Sequence, residues 1–169
     1  YKETVTNGHY NWGTGGPSGF PTDNFYAIFD QSRNFDGKEY FAQTFADDGV
    51  RLKVDGAYKI DQWSNASGKI EKTILGQLTG KHSVLTEYYE QTGNAAVYSD
   101  IVPFGDWLVY YYNNTNLSGN PVNAEIISAN SNGWLTDNNG ANAPIAKVNS
   151  DNFSARYVTA KRIDAGDYI

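Results

Sequence analysis

Apolar and polar side chains alternate strictly in the segment Val50–Asp55, which reads VRLKVD. A period of two residues is typical of a strand with one buried and one solvated face. Asp55-Gly56 follows as a hairpin turn, where glycine tolerates positive φ. The side chains predicted to be buried are Val50, Leu52, Val54 and, at the end of the next strand, Trp63; those predicted to face solvent are Arg51 and Lys53.

Further short strands are indicated by the same pattern. They are predicted over Glu39–Ala46, Lys69–Leu78, Lys81–Glu90 and Asn94–Val102, with turns at Thr79-Gly80 and Thr92-Gly93. No long stretch places apolar residues three and four apart, as an amphipathic helix requires. Aromatic residues make up 15% of the chain, and aromatic side chains suit pleated, half-buried surfaces. The pattern therefore predicts an all-β, antiparallel sandwich.

One segment recurs near the end of the chain. Thr22–Phe41 (TDNFYAIFDQSRNFDGKEYF) aligns without a gap with Ser150–Ile169 (SDNFSARYVTAKRIDAGDYI). The identical pairs are Asp23/Asp151, Asn24/Asn152, Phe25/Phe153, Ala27/Ala155, Asp36/Asp164 and Tyr40/Tyr168. Their spacing is too long for a solenoid unit and favours tandem whole domains. A boundary is predicted near Pro103–Gly105.

Several ordered motifs resemble the PA14 domain family. FADDGVRLKVDG (Phe45–Gly56) followed by IDQW (Ile60–Trp63) resembles the central signature of that family. GKHSVLTEYYEQTGNAAV (Gly80–Val97) is similar to its closing strands, and YYNNTNLSGNPV (Tyr111–Val122) to its opening strand. The resemblance implies a β-sandwich or squat β-barrel of PA14 type, and a fold whose commonest proposed role is carbohydrate binding.

The order of these motifs is permuted relative to the family. The resemblance implies that residues 1–105 form a PA14 repeat lacking its opening strand. Residues 106–169 then form the opening portion of a second repeat, or donate a strand that completes the first. We expect Trp107–Val122 to cover the vacant edge in this chain or a neighbouring one, with Tyr110 or Tyr112 contacting the strand Asn94–Val102.

Asp47-Asp48-Gly49 lies between two predicted strands. In the sugar-binding members that the chain resembles, two consecutive Asp residues here hold a calcium ion, which in turn holds sugar hydroxyls. Glu90 and Asn94, in a turn expected nearby, are candidates for further oxygen ligands. Glu90 departs from the sugar-binding members, which use an Asn in this later loop. The residues alone also fit a plain turn whose Asp side chains accept hydrogen bonds from backbone amides. The candidate metal ligands are Asp47, Asp48, Glu90 and Asn94, and the candidate sugar contacts are Asp47, Asp48 and Trp134.

Composition narrows the possible functions. A net charge of −6 disfavours nucleic acid, and no apolar run approaches the ~18 residues of a membrane span. Two His without metal-ligand spacing, no Cys and no nucleophile elbow disfavour an enzyme. The absence of Cys and Met, with the family resemblance, favours an exported protein of a Gram-positive bacterium.

Two functions remain open from the sequence. One is an extracellular, cell-surface adhesion module, calcium-assisted, whose partner is a glycan or cell-wall polysaccharide. The alternative is a structural repeat of a stalk or fibre, which contacts neighbouring PA14 repeats or identical chains. The exposed Trp134 expected in a Gly/Asn-rich loop suits the first function as a stacking face.

Overall fold

The structure, a computed structural model, describes residues 8–163. Within these residues the chain forms nine strands and no helix, which confirms the all-β prediction. The strands are β1 (Gly8–Gly13), β2 (Phe25–Asp47), β3 (Gly49–Val54), β4 (Ala57–Gln62), β5 (Lys69–Glu90), β6 (Ala95–Pro103), β7 (Trp107–Tyr112), β8 (Asn123–Ile127) and β9 (Ser154–Thr159).

Two long strands, β2 and β5, pair with each other along nearly their whole length. The register shifts after Asp36 and again after Tyr40. Gly37 lies at the first shift and Gly76 at the second, with φ values of +89° and +79°. Such bulges bend a strand without ending it. The turn predicted at Thr79-Gly80 is therefore wrong, because Gly80 remains paired with Phe35 inside β5.

The bend folds the six-stranded sheet into two facing layers. Its strand order is β1-β6-β2-β5-β3-β4, and within the described residues it does not close into a barrel. The second half of β2 pairs with β6, and the second half of β5 pairs with β3. Side chains of both layers meet in the core, which includes Ala42, Ile101, Leu52, Val54, Ile60 and Val84. This open β-sandwich confirms the predicted fold class.

The strand phase predicted at β3 is confirmed. Val50 and Leu52 are fully buried and Val54 is 3% exposed, whereas Arg51 and Lys53 point to the outer face. The prediction for Trp63 is wrong. Trp63 is only half-buried, and its ring lies on the outer face, 4.3 Å from the Arg51 guanidinium.

A third layer covers the outer face of β2 and β6. It consists of β7 between β8 and β9, so the hydrogen bonds of β7 go to these strands and not to the edge of the six-stranded sheet. One face of β7 packs on β6, with the Tyr110 and Tyr98 rings 5.6 Å apart. The contact expected for Tyr110 is thus confirmed, but it is made across a sheet face. The expectation that Trp107–Val122 covers the vacant edge within this chain is wrong, because within the described residues β7 pairs only with β8 and β9.

The division into residues 1–105 and 106–169 stays a prediction. The residues of β9 that correspond to the start of β2 are also in a strand. Asp164 and Tyr168, which complete the proposed repeat, lie outside the described residues.

Candidate functional site

Asp47 and Asp48 lie where the chain passes from one layer of the sandwich to the other. Asp47 ends β2, β3 begins at Gly49, and Asp48 is the single residue between them. The peptide bond between the two Asp residues is cis. Each is only 6% exposed, so both carboxylates are set into the end of the sandwich.

The Asp48 carboxylate holds two loops. Its Oδ1 accepts a hydrogen bond from the Ala66 amide at 3.1 Å, and its Oδ2 accepts one from the Gln91 amide at 2.8 Å. These bonds join the β4–β5 and β5–β6 connections to the Asp47-Asp48 turn. The sequence had suggested that these Asp side chains accept hydrogen bonds from backbone amides. Asp48 does so, and the amides belong to loops that are distant in the chain.

Asp47 faces the third layer. Asn120 donates from Nδ2 to Asp47 Oδ2 at 3.1 Å. Burial raises the pKa of Asp47, the Asn120 hydrogen bond opposes this rise, and the charge of Asp48 adds to it. Sequence reasoning missed Asn120, because no local pattern connects positions so far apart in the chain.

Glu90 lies beside the same turn and is 1% exposed. The Tyr88 hydroxyl is 2.5 Å from the Asp47 carbonyl oxygen and 2.9 Å from Glu90 Oε2. Burial raises the pKa of Glu90 to about 7, opposed by the Tyr88 hydrogen bond and reinforced by neighbouring carboxylates, first Asp48. A hydroxyl has one proton, so when Tyr88 donates to the carbonyl, only a protonated Glu90 completes the network.

The three carboxylates have no basic partner. Among residues 8–163, no Lys, Arg or His forms an ion pair with Asp47, Asp48 or Glu90. Glu90 Oε1 is buried without a hydrogen-bond partner. Burial therefore disfavours the ionised form of Glu90 unless a cation or a hydrogen-bond donor reaches Oε1.

The fit to a metal ion is partial. Oxygen atoms of carboxylates and amides are calcium's preferred ligands, and Glu90 Oε1 is an unused one. However, no group of three or more His, Cys, Asp and Glu in the described part of the chain is arranged to hold a metal ion. Asn94 is exposed in the β5–β6 turn. The assignment of Asp47, Asp48, Glu90 and Asn94 as ligands stays a prediction.

An aromatic pair lies next to Asp48. The Tyr89 ring covers Gly49, its hydroxyl donates to Asn65 Oδ1 at 2.9 Å, and it meets Trp63 edge-on at 4.7 Å. Sequence reasoning had given Gly49 a turn role, whereas it begins β3. These rings extend the candidate site onto the outer face of the sandwich.

Trp134 is not part of this site. Its side chain is 70% exposed, as expected for its loop, which closes through Asn130 and contacts Lys161. Lys161 follows the end of β9 that pairs with Trp107, whereas Asn120, at Asp47, follows Tyr112 at the other end of β7. The structure therefore places Trp134 and the Asp pair at opposite ends of β7.

The family model of the PA14 domain matches residues 2–102, more than half of the chain. The chain therefore belongs to the PA14 domain family, a family of binding and structural domains that are typically extracellular. The described residues contain no helix long and apolar enough to cross a bilayer.

One solved structure shows the same fold, and a second is also similar to this chain. One, an anti-sigma factor domain-containing protein, is 21% identical with a TM-score of 0.54, and the match covers 92% of this chain and 61% of that one. Another, an anti-sigma factor domain-containing protein from Clostridium clariflavum, is 23% identical with a TM-score of 0.49, covering 92% and 62%. This chain thus spans about three fifths of each. No curated protein matches the chain.

Proposed function

We propose that this chain is a carbohydrate-binding module of an extracellular protein, and that its binding end is the Asp47-Asp48 turn with Glu90. Family membership supports the class of function. The observation that carries the choice of site is the set of three buried carboxylates without a basic partner. Asp47 and Asp48 accept hydrogen bonds, whereas Glu90 Oε1 has no partner, and an ionised carboxylate is costly to bury without one.

Calcium is the cation that this donor set suits, since it takes several oxygen ligands from carboxylates and amides. Asp47, Asp48 and Glu90 would hold it, with Asn94 from the adjacent turn. When bound, the ion offers coordination positions to sugar hydroxyls. The chain's own residues fix the carboxylates: Asn120 orients Asp47, and the loop amides orient Asp48.

The metal is tested by thermal melts with added calcium and with a chelator. At a hundredfold excess over Kd, binding stabilises the folded state by about 2.7 kcal/mol. Glu90→Gln keeps the size of the side chain and should abolish most of the calcium-induced rise in Tm. Asp151→Asn is the matched control, because Asp151 is exposed and bonds only to Ser150 in the described residues.

The sugar is tested by a glycan array probed in calcium and in chelator. We expect calcium-dependent binding by the wild type and by Asp151→Asn, and loss of binding in Glu90→Gln. Binding that persists in chelator would show that glycan recognition does not require the metal. A melt insensitive to calcium would leave the Asp pair with its loop-holding role alone.

A second candidate function is assembly with neighbouring PA14 repeats or identical chains. The recurrence of the Thr22–Phe41 segment at Ser150–Ile169 favours it, since tandem modules meet across shared faces. Light scattering over a range of protein concentrations would test self-association. A mass that stays monomeric at millimolar concentration would speak against identical chains as partners.

A further inference from the structure

A groove opens on the side of the sandwich where both layers have a free edge. One wall is β4, the last strand of one layer, and the other is the first half of β5, the last strand of the opposite layer. Its volume is about 630 Å³, within the ~300–1,000 Å³ of small-molecule sites. The groove is separated from the Asp47-Asp48 turn by the loop that carries Ser64 and Ala66.

The groove is basic, although the chain as a whole carries a charge of −6. Its charged lining consists of Arg51, Lys59, Asp61, Lys69, Glu71 and Lys72. The Arg51 Nε–Asp61 Oδ1 distance is 2.6 Å and the Lys69 Nζ–Glu71 Oε1 distance is 2.9 Å. These two pairs cancel, so the excess positive charge belongs to one lysine on each wall.

Those two lysines are Lys59 on β4 and Lys72 on β5. Neither forms an ion pair with an acidic side chain of residues 8–163. Two cations that face one cleft raise the local concentration of anions there. A ligand carrying a carboxylate would therefore gain charge-assisted hydrogen bonds that a neutral ligand lacks.

A second observation concerns hydrogen bonding. Gln62 lines the groove and is only 5% exposed. Its Nε2 donates to the Ser64 carbonyl oxygen at 2.7 Å, while its Oε1 is buried without a partner. An unused buried acceptor is costly unless a donor completes it. A hydroxyl is such a donor, and Ser64 and Thr73 add hydroxyls to the same lining.

We infer that this groove binds an acidic saccharide, with Lys59 and Lys72 on the carboxylate and Gln62 Oε1 on a hydroxyl. The site is distinct from the Asp47-Asp48 turn and does not require calcium. Trp63 lines it without offering its full face, because Arg51 already covers that ring at 4.3 Å. Recognition thus rests on charge and hydroxyl contacts more than on ring stacking.

The test is isothermal titration with two matched probes in a chelating buffer. The probes are cellotetraose and its C6-carboxylated counterpart, which share one backbone and differ in charge. We expect the acidic probe to bind at least tenfold more tightly. Lys59→Gln/Lys72→Gln should lower its affinity at least tenfold, and raising the salt concentration should weaken it further.

The control variant is Lys81→Gln/Lys147→Gln, which removes the same charge from exposed positions outside the groove. It should keep wild-type affinity. Lysines also protect edge strands from pairing with other chains. If Lys59 and Lys72 serve only to protect the edges, the Lys59→Gln/Lys72→Gln variant will aggregate while its monomer keeps the wild-type affinity. In that case the inference fails.

Two further outcomes would overturn it. Equal affinity for the neutral and the acidic probe would remove the role of charge. Competition by inorganic phosphate at the same concentration as the acidic probe would show a general anion site. Because the calcium-induced rise in Tm is measured separately, failure here leaves the proposal for the Asp47-Asp48 turn untouched, and the reverse also holds.

Discussion

Gly49→Ala tests how tightly the Tyr89 ring is packed beside the Asp pair. A Cβ at Gly49 would lie 2.1 Å from Tyr89 Cε1 and 2.8 Å from Cδ1, whereas carbon atoms in contact are about 3.5–4.0 Å apart. Gly49 is not among the glycines with positive φ, so its backbone accepts alanine. The conflict is with the ring, which must move by about 1 Å or more.

The expected cost follows from what the ring loses. Its hydrogen bond to Asn65 contributes about 1 kcal/mol, and its edge contact with Trp63 about 0.5–1.5 kcal/mol. Replacing glycine by alanine in a strand returns roughly 0.5–1 kcal/mol. Gly49→Ala should therefore lower the free energy of unfolding by about 0.5–2 kcal/mol, measured by urea denaturation.

A double-mutant cycle separates the clash from other effects. In a Tyr89→Ala background the ring is absent, so Gly49→Ala should cost nothing or stabilise the chain slightly. Gly8→Ala is the control, because its Cβ would meet Ser99 Cβ at 3.4 Å, an ordinary contact. The reasoning is refuted if Gly49→Ala costs as much without the Tyr89 ring as with it.

Two further predictions concern the core and the response to pH. Leu52→Ala should cost about 2–5 kcal/mol in urea denaturation, because it leaves a cavity at a fully buried position; a cost below about 1 kcal/mol would contradict the core assignment. The pKa of Glu90 is raised from 4.5 to about 7 in the folded state, so its contribution to stability is full below pH 4.5 and is lost as pH rises through about 7. In chelator, Glu90→Gln should thus gain stability over the wild type between pH 5 and pH 8, by at most about 3 kcal/mol before solvent screening. Parallel pH profiles for the two proteins would contradict the buried, protonated Glu90.

The sequence pattern predicted β3 most accurately, because one face of this strand is buried and the other is not. Residues 50–54 alternate because β3 has one face on the core, and their burial follows the prediction. The end of β2 is different: every residue of Tyr40–Asp47 is buried, because layers pack on both of its faces. Such a segment carries no alternation, so neither the third layer nor its position was predictable from pattern alone.

The errors have local physical causes. Glycine with positive φ serves a tight turn and a bulge equally well, and so Gly80 did not show that β5 continues. Trp63 was assigned to the core because it ends a predicted strand in the IDQW motif. Gln62 points inward instead, although it is polar. Consecutive side chains of a strand lie on opposite faces, so Trp63 faces outward. The partners Tyr88 and Asn120 of the Asp pair depend on contacts between distant segments.

The continuity of β2 and β5 through both layers affects how the basic groove recognises a ligand. Both walls of the groove are anchored to β5, one directly and the other through β3. The layers are thus joined by the continuous, paired backbone of β2 and β5, which limits how far they can move apart. The groove is preorganised: a saccharide that fits its width binds with little entropy lost by the protein. One that is too wide would bind less well, because opening the sandwich would distort the pairing of β2 with β5.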